Sequence, residues 1–292
     1  VKILITGANG QLGNALQQTS GEFVAQHASQ IIALTRAECD LMQPDSIAAV
    51  LKKFKPDAII NAAAYTAVDK AESDMAAANQ VNALAVRQFA VWAQHHKVPL
   101  IQVSTDFVFD GQKATPYQTD DAANPLGVYG NTKHQGETFA LDECDSAYVV
   151  RTGWVYNEEG SNFVKTILRL ARERDQLGII ADQIGTPTYA RHLAQMIWQL
   201  LHQRPQQRVW HFSDAGVASW YDFAVAIVDE AISLNLLERA PLIKPITTAD
   251  YPTPARRPSY SVLDKSASWQ QLGVVPVHWR DALVSMLRAL AR

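Results

Sequence analysis

The chain opens Val1-Lys2-Ile3-Leu4-Ile5-Thr6-Gly7-Ala8-Asn9-Gly10-Gln11-Leu12-Gly13. A short apolar run ends at a glycine-spaced turn, and a helical pattern begins near Gln11. Strand, tight turn and helix in that order start a βαβ unit. Glycine in such a turn lets the backbone bend sharply, admits a pyrophosphate close to the main chain, and lets the helix pack on the strand. The helix N-terminus behind it offers free N–H groups to phosphates. The spacing is GxxGxxG rather than GxGxxG. A glycine triplet alone is also what a structural turn produces. Its place directly after a first strand makes Gly7, Gly10 and Gly13 candidates for dinucleotide binding.

Outward from this turn the same rhythm repeats. Ile31–Leu34, Ala58–Ile60, Leu100–Val103 and Ala147–Val150 are further apolar runs of strand length. Between them, Asp45–Phe54 places Ile47, Val50, Leu51 and Phe54 on one helical face, and Asn82–His95 does the same with Leu84, Phe89 and Trp92. Short, continuously apolar strands are expected where helices cover both faces of a parallel sheet. The predicted fold is therefore α/β, a doubly wound parallel sheet of Rossmann type. After about residue 152 the pattern is less regular, with helices expected over Phe163–Arg174 and Ala190–His202 and a strand around Val209–Phe212, where the sheet can gain strands. The proline-rich stretch Tyr251–Pro258 can form neither helix nor inner strand. It is read either as a linker or as a ligand-binding loop.

Composition narrows the function classes. At 292 residues and 48% hydrophobic, the chain can bury a large core. Twenty-six Lys and Arg against 29 Asp and Glu leave no basic excess to draw it to nucleic acid or anionic membrane. The expected partners are small molecules or a second copy of the chain, as a monomer or homodimer. Two cysteines, Cys39 and Cys144, are too few for a disulfide framework and suggest a reducing compartment. No run approaches the ~18 apolar residues of a membrane span, and no basic leader precedes the first strand, so a cytoplasmic location is expected.

Two further groups carry chemistry. An NAD-specific site usually has an acidic residue at the end of the second strand; Thr35-Arg36 stand there instead. A guanidinium suits a 2′-phosphate, which makes NADPH the expected cofactor and NADH the second candidate, although an exposed arginine at a strand end is commonplace. Asp40 and Leu41 either border the adenine pocket or form a turn before Pro44. Tyr129 and Lys133, four residues apart in a segment able to open a helix (Val128–Glu137), project from one face. The ammonium eases ionisation of the phenol and can hold a nicotinamide ribose, so Tyr129 can give a proton to an oxygen. Ser104-Thr105-Asp106, at the carboxyl end of the fourth strand, lies where open α/β sheets bind ligands. There Thr105 can hydrogen-bond the substrate oxygen.

These features, with Asn61-Ala62-Ala63-Ala64-Tyr65-Thr66, resemble the extended short-chain dehydrogenase/reductases. More narrowly, the chain resembles the dTDP-4-dehydrorhamnose reductase family through residues 64–72 (AYTAVDKAE), 104–109 (STDFVF), 151–156 (RTGWVY), 182–188 (DQIGTPT) and 252–258 (PTPARRP). The last two motifs separate these reductases from epimerases and dehydratases. The resemblance implies a catalytic trio of Thr105, Tyr129 and Lys133. It implies a cofactor lined by Gly10, Gln11, Leu12, Asp40, Leu41, Ala62, Ala63 and Ala64, and a dTDP-sugar met by Thr105, Asp106 and Trp154. Arg257 and Arg256 would suit the diphosphate. Trp154 can equally be a core aromatic.

The implied organisation is an NAD(P)-binding domain over residues 1–152 and a smaller, mainly substrate-binding region over 153–292, with some segments returning to the sheet. The implied reaction is NAD(P)H-dependent reduction of the 4-keto group of dTDP-4-dehydro-L-rhamnose to dTDP-L-rhamnose, the last step of an activated sugar that feeds polysaccharide and O-antigen synthesis. An epimerase or dehydratase retaining NAD+ is one alternative. Where dehydratases carry Glu after Thr-Asp, however, this chain has Phe107. A non-catalytic NADP-binding regulatory subunit is the other, opposed by the presence of Thr105, Tyr129 and Lys133 together. Some family members are described with magnesium at a dimer contact; no metal-ligand spacing is seen here, no catalytic metal is expected, and structural binding stays open.

Overall fold

The apolar runs assemble into one parallel sheet in the computed structural model, which describes residues 1–291. Its strands are β1 (Lys2–Thr6), β2 (Gln30–Leu34), β3 (Ala58–Asn61), β4 (Leu100–Thr105), β5 (Ala147–Thr152) and an edge strand Val209–His211. The order is Val209–His211, β5, β4, β3, β1, β2, parallel throughout. The chain runs from β1 outward to β2, then crosses to β3 on β1's other side. The strand order thus reverses between β1 and β3, and the crevice at their carboxyl ends is where such sheets take ligands.

Side-chain alternation along each strand divides the core into two faces. Ile3, Ile5, Ile60, Ile101 and Val150 face the helices Gln11–Thr19 and Ala190–Gln203, whose Leu12, Leu16, Leu193 and Ile197 pack on them. Leu4, Ile59, Leu100 and Val149 face the other way, against Ile47 and Leu51 of helix Pro44–Phe54 and Phe89 of helix Ala85–His96. Both faces are dry, which is why these strands read as unbroken apolar runs.

Beyond β5 a second cluster forms from helices Phe163–Glu173, Trp220–Ser233 and Trp279–Leu290 around Tyr156, Phe223 and Leu283. Three two-stranded pairings flank it: Val155–Tyr156 with Thr188–Tyr189, Gln176–Ile180 with Leu242–Ile246, and Ile184–Gly185 with Ala218–Ser219. No helix among the described residues is long and apolar enough to cross a membrane.

The helix expected over Asn82–His95 differs in its beginning. It starts at Met75, passes through a π-turn at Gln80–Leu84 and continues as Ala85–His96. The wider turn serves Asn82, whose Oδ1 accepts from Tyr65 N at 2.9 Å and whose Nδ2 donates to Tyr65 O and Thr132 Oγ1, both at 3.2 Å. Its carbonyl lies so close to Gly136 that a Cβ there would stand 2.1 Å away. Bulges of this kind recur at functional sites, and Thr132 adjoins Lys133.

Candidate active site at the carboxyl edge of the sheet

The glycine turn forms one wall of the crevice. Gly7 takes a left-handed φ of +71°, and a Cβ on it would press on the Ala63 backbone at 3.0 Å. Gly10 N donates to Gly7 O at 2.9 Å. A Cβ on Gly13 would sit 2.0 Å from the Gly7 carbonyl, so the helix can start this close to the turn only with glycine there. The helix Gln11–Thr19 has no side-chain cap at Gly10, leaving its first N–H groups to meet an anion. Ala62, Ala63 and Ala64 follow β3 directly opposite. Gly7 and Gly10 present bare main chain at the two ends of this turn, a shape able to admit a pyrophosphate close to the backbone.

A buried chain of polar groups pins the strand ends around it. Thr6 Oγ1 donates to Asn61 Oδ1 at 2.6 Å, Asn61 Nδ2 to Gln102 Oε1 at 2.7 Å, and Ala63 N to Thr6 Oγ1 at 3.3 Å. Gln11 is gripped from the second layer: its Oε1 accepts from Asn162 Nδ2 at 3.0 Å and its carbonyl from Asn157 Nδ2 at 3.3 Å. Leu12 is buried in the core and offers the crevice only its backbone.

At the end of β2, the Thr35 amide and hydroxyl donate to Glu38 at 2.9 and 2.8 Å, and these bonds hold the Glu38 carboxyl below its usual range. The Arg36 side chain is 81% exposed and lies 3.6 Å from Asp40 Oδ1. Asp40 also accepts from Met42 N at 3.1 Å, so the turn before Pro44 is realised and its carboxylate still borders the Arg36 head group. Leu41 points into the core; its carbonyl accepts from Gln80 Nε2 at 3.3 Å.

The helix that opens at Val128 runs to Glu143 and carries Tyr129 and Lys133 on successive turns. Its first turn is pressed on the 3-10 turn Asp106–Val108: a Cβ on Gly130 would stand 2.2 Å from the Phe107 carbonyl. The Phe107 and Tyr129 rings meet edge to face, 5.7 Å between centroids. Burial pushes the Tyr129 phenol up to about 12, opposed by the Thr105 hydroxyl and reinforced by Asp106. Lys133 is buried, and its Nζ donates to Val103 O at 2.6 Å. Burial pushes its ammonium down to about 8, against the pull of Glu137. Thr105 Oγ1 donates to Asp106 Oδ1 at 3.0 Å and accepts from Phe107 N at 3.2 Å. Asp106 is itself buried, which pushes its carboxyl up to about 6 despite bonds from Ser261 and Thr105. Gly153 lies flat against it; a Cβ there would be 2.6 Å from the Asp106 Cγ.

Trp154 follows at a left-handed φ of +51°. Its ring stacks on Trp220 at 3.5 Å and 4°, and covers Gly185, whose added Cβ would lie 2.7 Å from the indole. It is half-buried and joined to the second cluster, so it is at once an aromatic of that packing and a wall beside Asp106's neighbour Gly153. The proline-rich stretch is an irregular loop. Arg257 Nη2 bonds Asp69 Oδ2 at 2.7 Å, and Ala255 N bonds Asp69 Oδ1 at 3.2 Å. Arg256 is exposed and lines one cleft with Val68, Phe107, Tyr129 and Pro258. The loop therefore closes on the cleft of the tyrosine rather than acting as a linker.

Several residues of this region went unnoticed in the sequence. Glu137 had a visible signal, since it repeats from Lys133 the spacing of Lys133 from Tyr129. Glu72, Asn157 and Asn162 act through partners far away in the chain, and local spacing carries no trace of them.

A phenol and an ammonium on one helix, set at the carboxyl edge of a doubly wound sheet with a glycine turn at its switch point, define the short-chain dehydrogenase class of NAD(P)-dependent oxidoreductases. Residues 1–292 match the family described as the RmlD substrate binding domain. A dTDP-4-dehydrorhamnose reductase of Aggregatibacter actinomycetemcomitans is 43% identical over 99% of both chains. Among solved structures, a dTDP-4-dehydrorhamnose reductase of Clostridium acetobutylicum superposes with a TM-score of 0.92 at 34% identity, covering 100% of both chains. One from Bacillus anthracis, in complex with NADP, gives 0.89 at 32% identity over 99% of both. The chain belongs to the dTDP-4-dehydrorhamnose reductase family.

Proposed function

We propose that this chain reduces the 4-keto group of dTDP-4-dehydro-L-rhamnose with NADPH, giving dTDP-L-rhamnose as the last step of its synthesis. The observation that supports it most is that Tyr129, whose phenol is hydrogen-bonded to the Thr105 hydroxyl, lines one cleft with Ala255, Arg256 and Pro258 of the arginine loop. A bound nicotinamide supplies the hydride. Residues 1–152 hold most of the cofactor site: Gly7, Gly10, Gly13 and the amides of Gln11 and Leu12 receive the pyrophosphate, and Ala62 to Ala64 close the opposite wall. Asp40 and the Leu41 backbone border the adenine end, and Arg36, beside Thr35, is exposed and only loosely paired with Asp40 at 3.6 Å, so its guanidinium can turn to a 2′-phosphate, which favours NADPH over NADH.

Tyr129 holds the proton that the developing alkoxide takes up. A phenol is neutral at working pH, and burial pushes this one further up, to about 12. Lys133, whose Nζ is held by the Val103 carbonyl, would supply positive charge to the phenol and the ribose as the phenolate forms. Thr105 orients the sugar oxygen. Residues 153–292 supply most of the remaining substrate contacts: Trp154 bounds the sugar with Asp106, and Arg256 and Arg257 suit the diphosphate with their planar donor forks.

The test is NADPH absorbance loss with enzymatically generated dTDP-4-dehydro-L-rhamnose, with Tyr129→Phe and Arg36→Ala alongside. Turnover that collapses in Tyr129→Phe supports the reading, and a lowered NADPH-to-NADH ratio in Arg36→Ala supports the cofactor choice. NADPH binding without turnover of this sugar overturns the substrate assignment.

A further inference from the structure

A helix leaves its first N–H groups without partners, and a side chain at the preceding residue normally takes one of them. The helix carrying Tyr129 is preceded by Gly127, which has no side chain to offer. Glu72 supplies the acceptor from another part of the chain: its Oε1 takes the Val128 N–H at 2.9 Å. Glycine at 127 makes this approach possible, because a Cβ there would lie 2.6 Å from the same oxygen. The bond is made one residue before Tyr129, on a turn whose other side rests on the Phe107 carbonyl.

Glu72 directly follows the one-turn helix Val68–Ala71, and that helix holds a second contact. Asp69 binds both the Arg257 guanidinium and the Ala255 amide. One short segment thus grips the first turn of the tyrosine's helix with one carboxylate and the arginine loop with the other.

We propose that Glu72 is a positioning residue for proton transfer: by capping the helix of Tyr129 it sets where the phenol stands in the cleft, and through Asp69 it ties that position to the Arg257 loop. The proposal rests on Tyr129 being the proton donor. Proton delivery is sensitive to displacements far smaller than a residue, so loss of the cap shows in kcat while the glycine crevice keeps its affinity for the cofactor. An amide oxygen accepts the same hydrogen bond as a carboxylate, so glutamine keeps the cap and alanine loses it.

The experiment is steady-state kinetics with NADPH and dTDP-4-dehydro-L-rhamnose on Glu72→Ala, Glu72→Gln, Gly127→Ala and the double variant Glu72→Ala/Gly127→Ala, each corrected for its folded fraction. Glu72→Ala is expected to lower kcat on the order of tenfold or more with KM for NADPH unchanged, and Glu72→Gln to restore most of it. Gly127→Ala is expected to lower kcat by displacing the carboxylate. The double variant is expected to match Glu72→Ala alone, because without that side chain the new Cβ meets no obstacle. The proposal falls if glutamine is as slow as alanine, if the two losses multiply, or if only the melting temperature moves. Tyr129→Phe runs beside them: full turnover there removes the donor assignment itself, whereas its collapse together with an unaffected Glu72→Ala removes only the positioning role.

Discussion

Arg151 and Glu137 face one another as a forked ion pair, Nη2 to Oε2 at 2.8 Å and Nε to Oε1 at 3.0 Å, with side chains only 7% and 2% exposed. Burial would raise the Glu137 carboxyl, but the His134 ring 3.6 Å away and the bonds from Arg151 hold it at about 2. Arg151 also donates from Nη1 to Thr119 O at 3.2 Å and lies 3.4 Å from His211 Nε2. Burial and that guanidinium push His211 down to about 3, so the imidazole is neutral; its Nδ1, 3.1 Å from Tyr117 O, is assigned the proton. Glu137 stands one turn beyond Lys133 on the same helix.

Arg151→Met leaves the Glu137 charge buried and alone, and is expected to cost about 3–5 kcal/mol in urea unfolding. Glu137→Met/Arg151→Met is expected to recover much of that, since an apolar pair replaces a satisfied ionic one. The depressed Glu137 carboxyl contributes stability fully present above about pH 4.5 and lost as pH falls toward 2. In Glu137→Gln the acid limb of the unfolding profile should accordingly flatten.

Lys133 titrates at about 8, close to assay conditions. With its charge needed beside Tyr129, kcat/KM should decline about tenfold per pH unit above that value. The Glu137 carboxylate opposes the effect of burial on the ammonium, so Glu137→Gln should move this limb to lower pH. A limb that stays in place would show that the carboxylate does not reach Lys133.

Asp106 presents the opposite linkage. Its folded carboxyl is raised to about 6 from 3.8, so its contribution to stability is complete below about pH 4 and lost as pH rises through 6. Asp106→Asn should therefore be more stable than the parent at pH 8, on the order of 2 kcal/mol, with the difference shrinking toward pH 4. Thermal unfolding at both pH values checks it, and the same variant should lose turnover through its place in the substrate cleft.

Gly13→Ala would place a methyl 2.0 Å from the Gly7 carbonyl, backbone against backbone, and should abolish NADPH binding measured by cofactor fluorescence. Gly21, at the start of a helix with nothing within 4 Å of an added Cβ, should accept alanine with a gain of about 0.5–1 kcal/mol and unchanged binding. Equal tolerance at the two positions would mean the turn at Gly7 can move.

The doubly wound sheet was legible because burial on two faces writes itself as continuous apolar runs such as Ile3-Leu4-Ile5 and Ala58-Ile59-Ile60. Tyr129 and Lys133 were legible because their relation is local, four residues on one helix. The strand order was not. Whether β3 lies beside β1 or beyond β2 depends on crossovers that leave no mark in β3 itself. The π-turn at Gln80–Leu84 was hidden for a similar reason, since Asn82 bulges to meet Tyr65 and Gly136, neither within one helical turn of it. The loop at Tyr251–Pro258 could be recognised as irregular from its prolines, yet its destination depended on Asp69, 188 positions before Arg257 in the chain.

The helix Ala190–Gln203 lies on the sheet face that also receives Gln11–Thr19, although it is encoded well after β5. During translation, Ile5, Ile60, Ile101 and Val150 are therefore synthesised before the segment that covers them. At 5–20 residues per second, emergence of residues 153–203 takes on the order of 3–10 s, an interval in which the nascent half carries an open apolar surface. A chain halted at Thr152 lacks that cover, and is expected to aggregate rather than yield a free-standing cofactor-binding half.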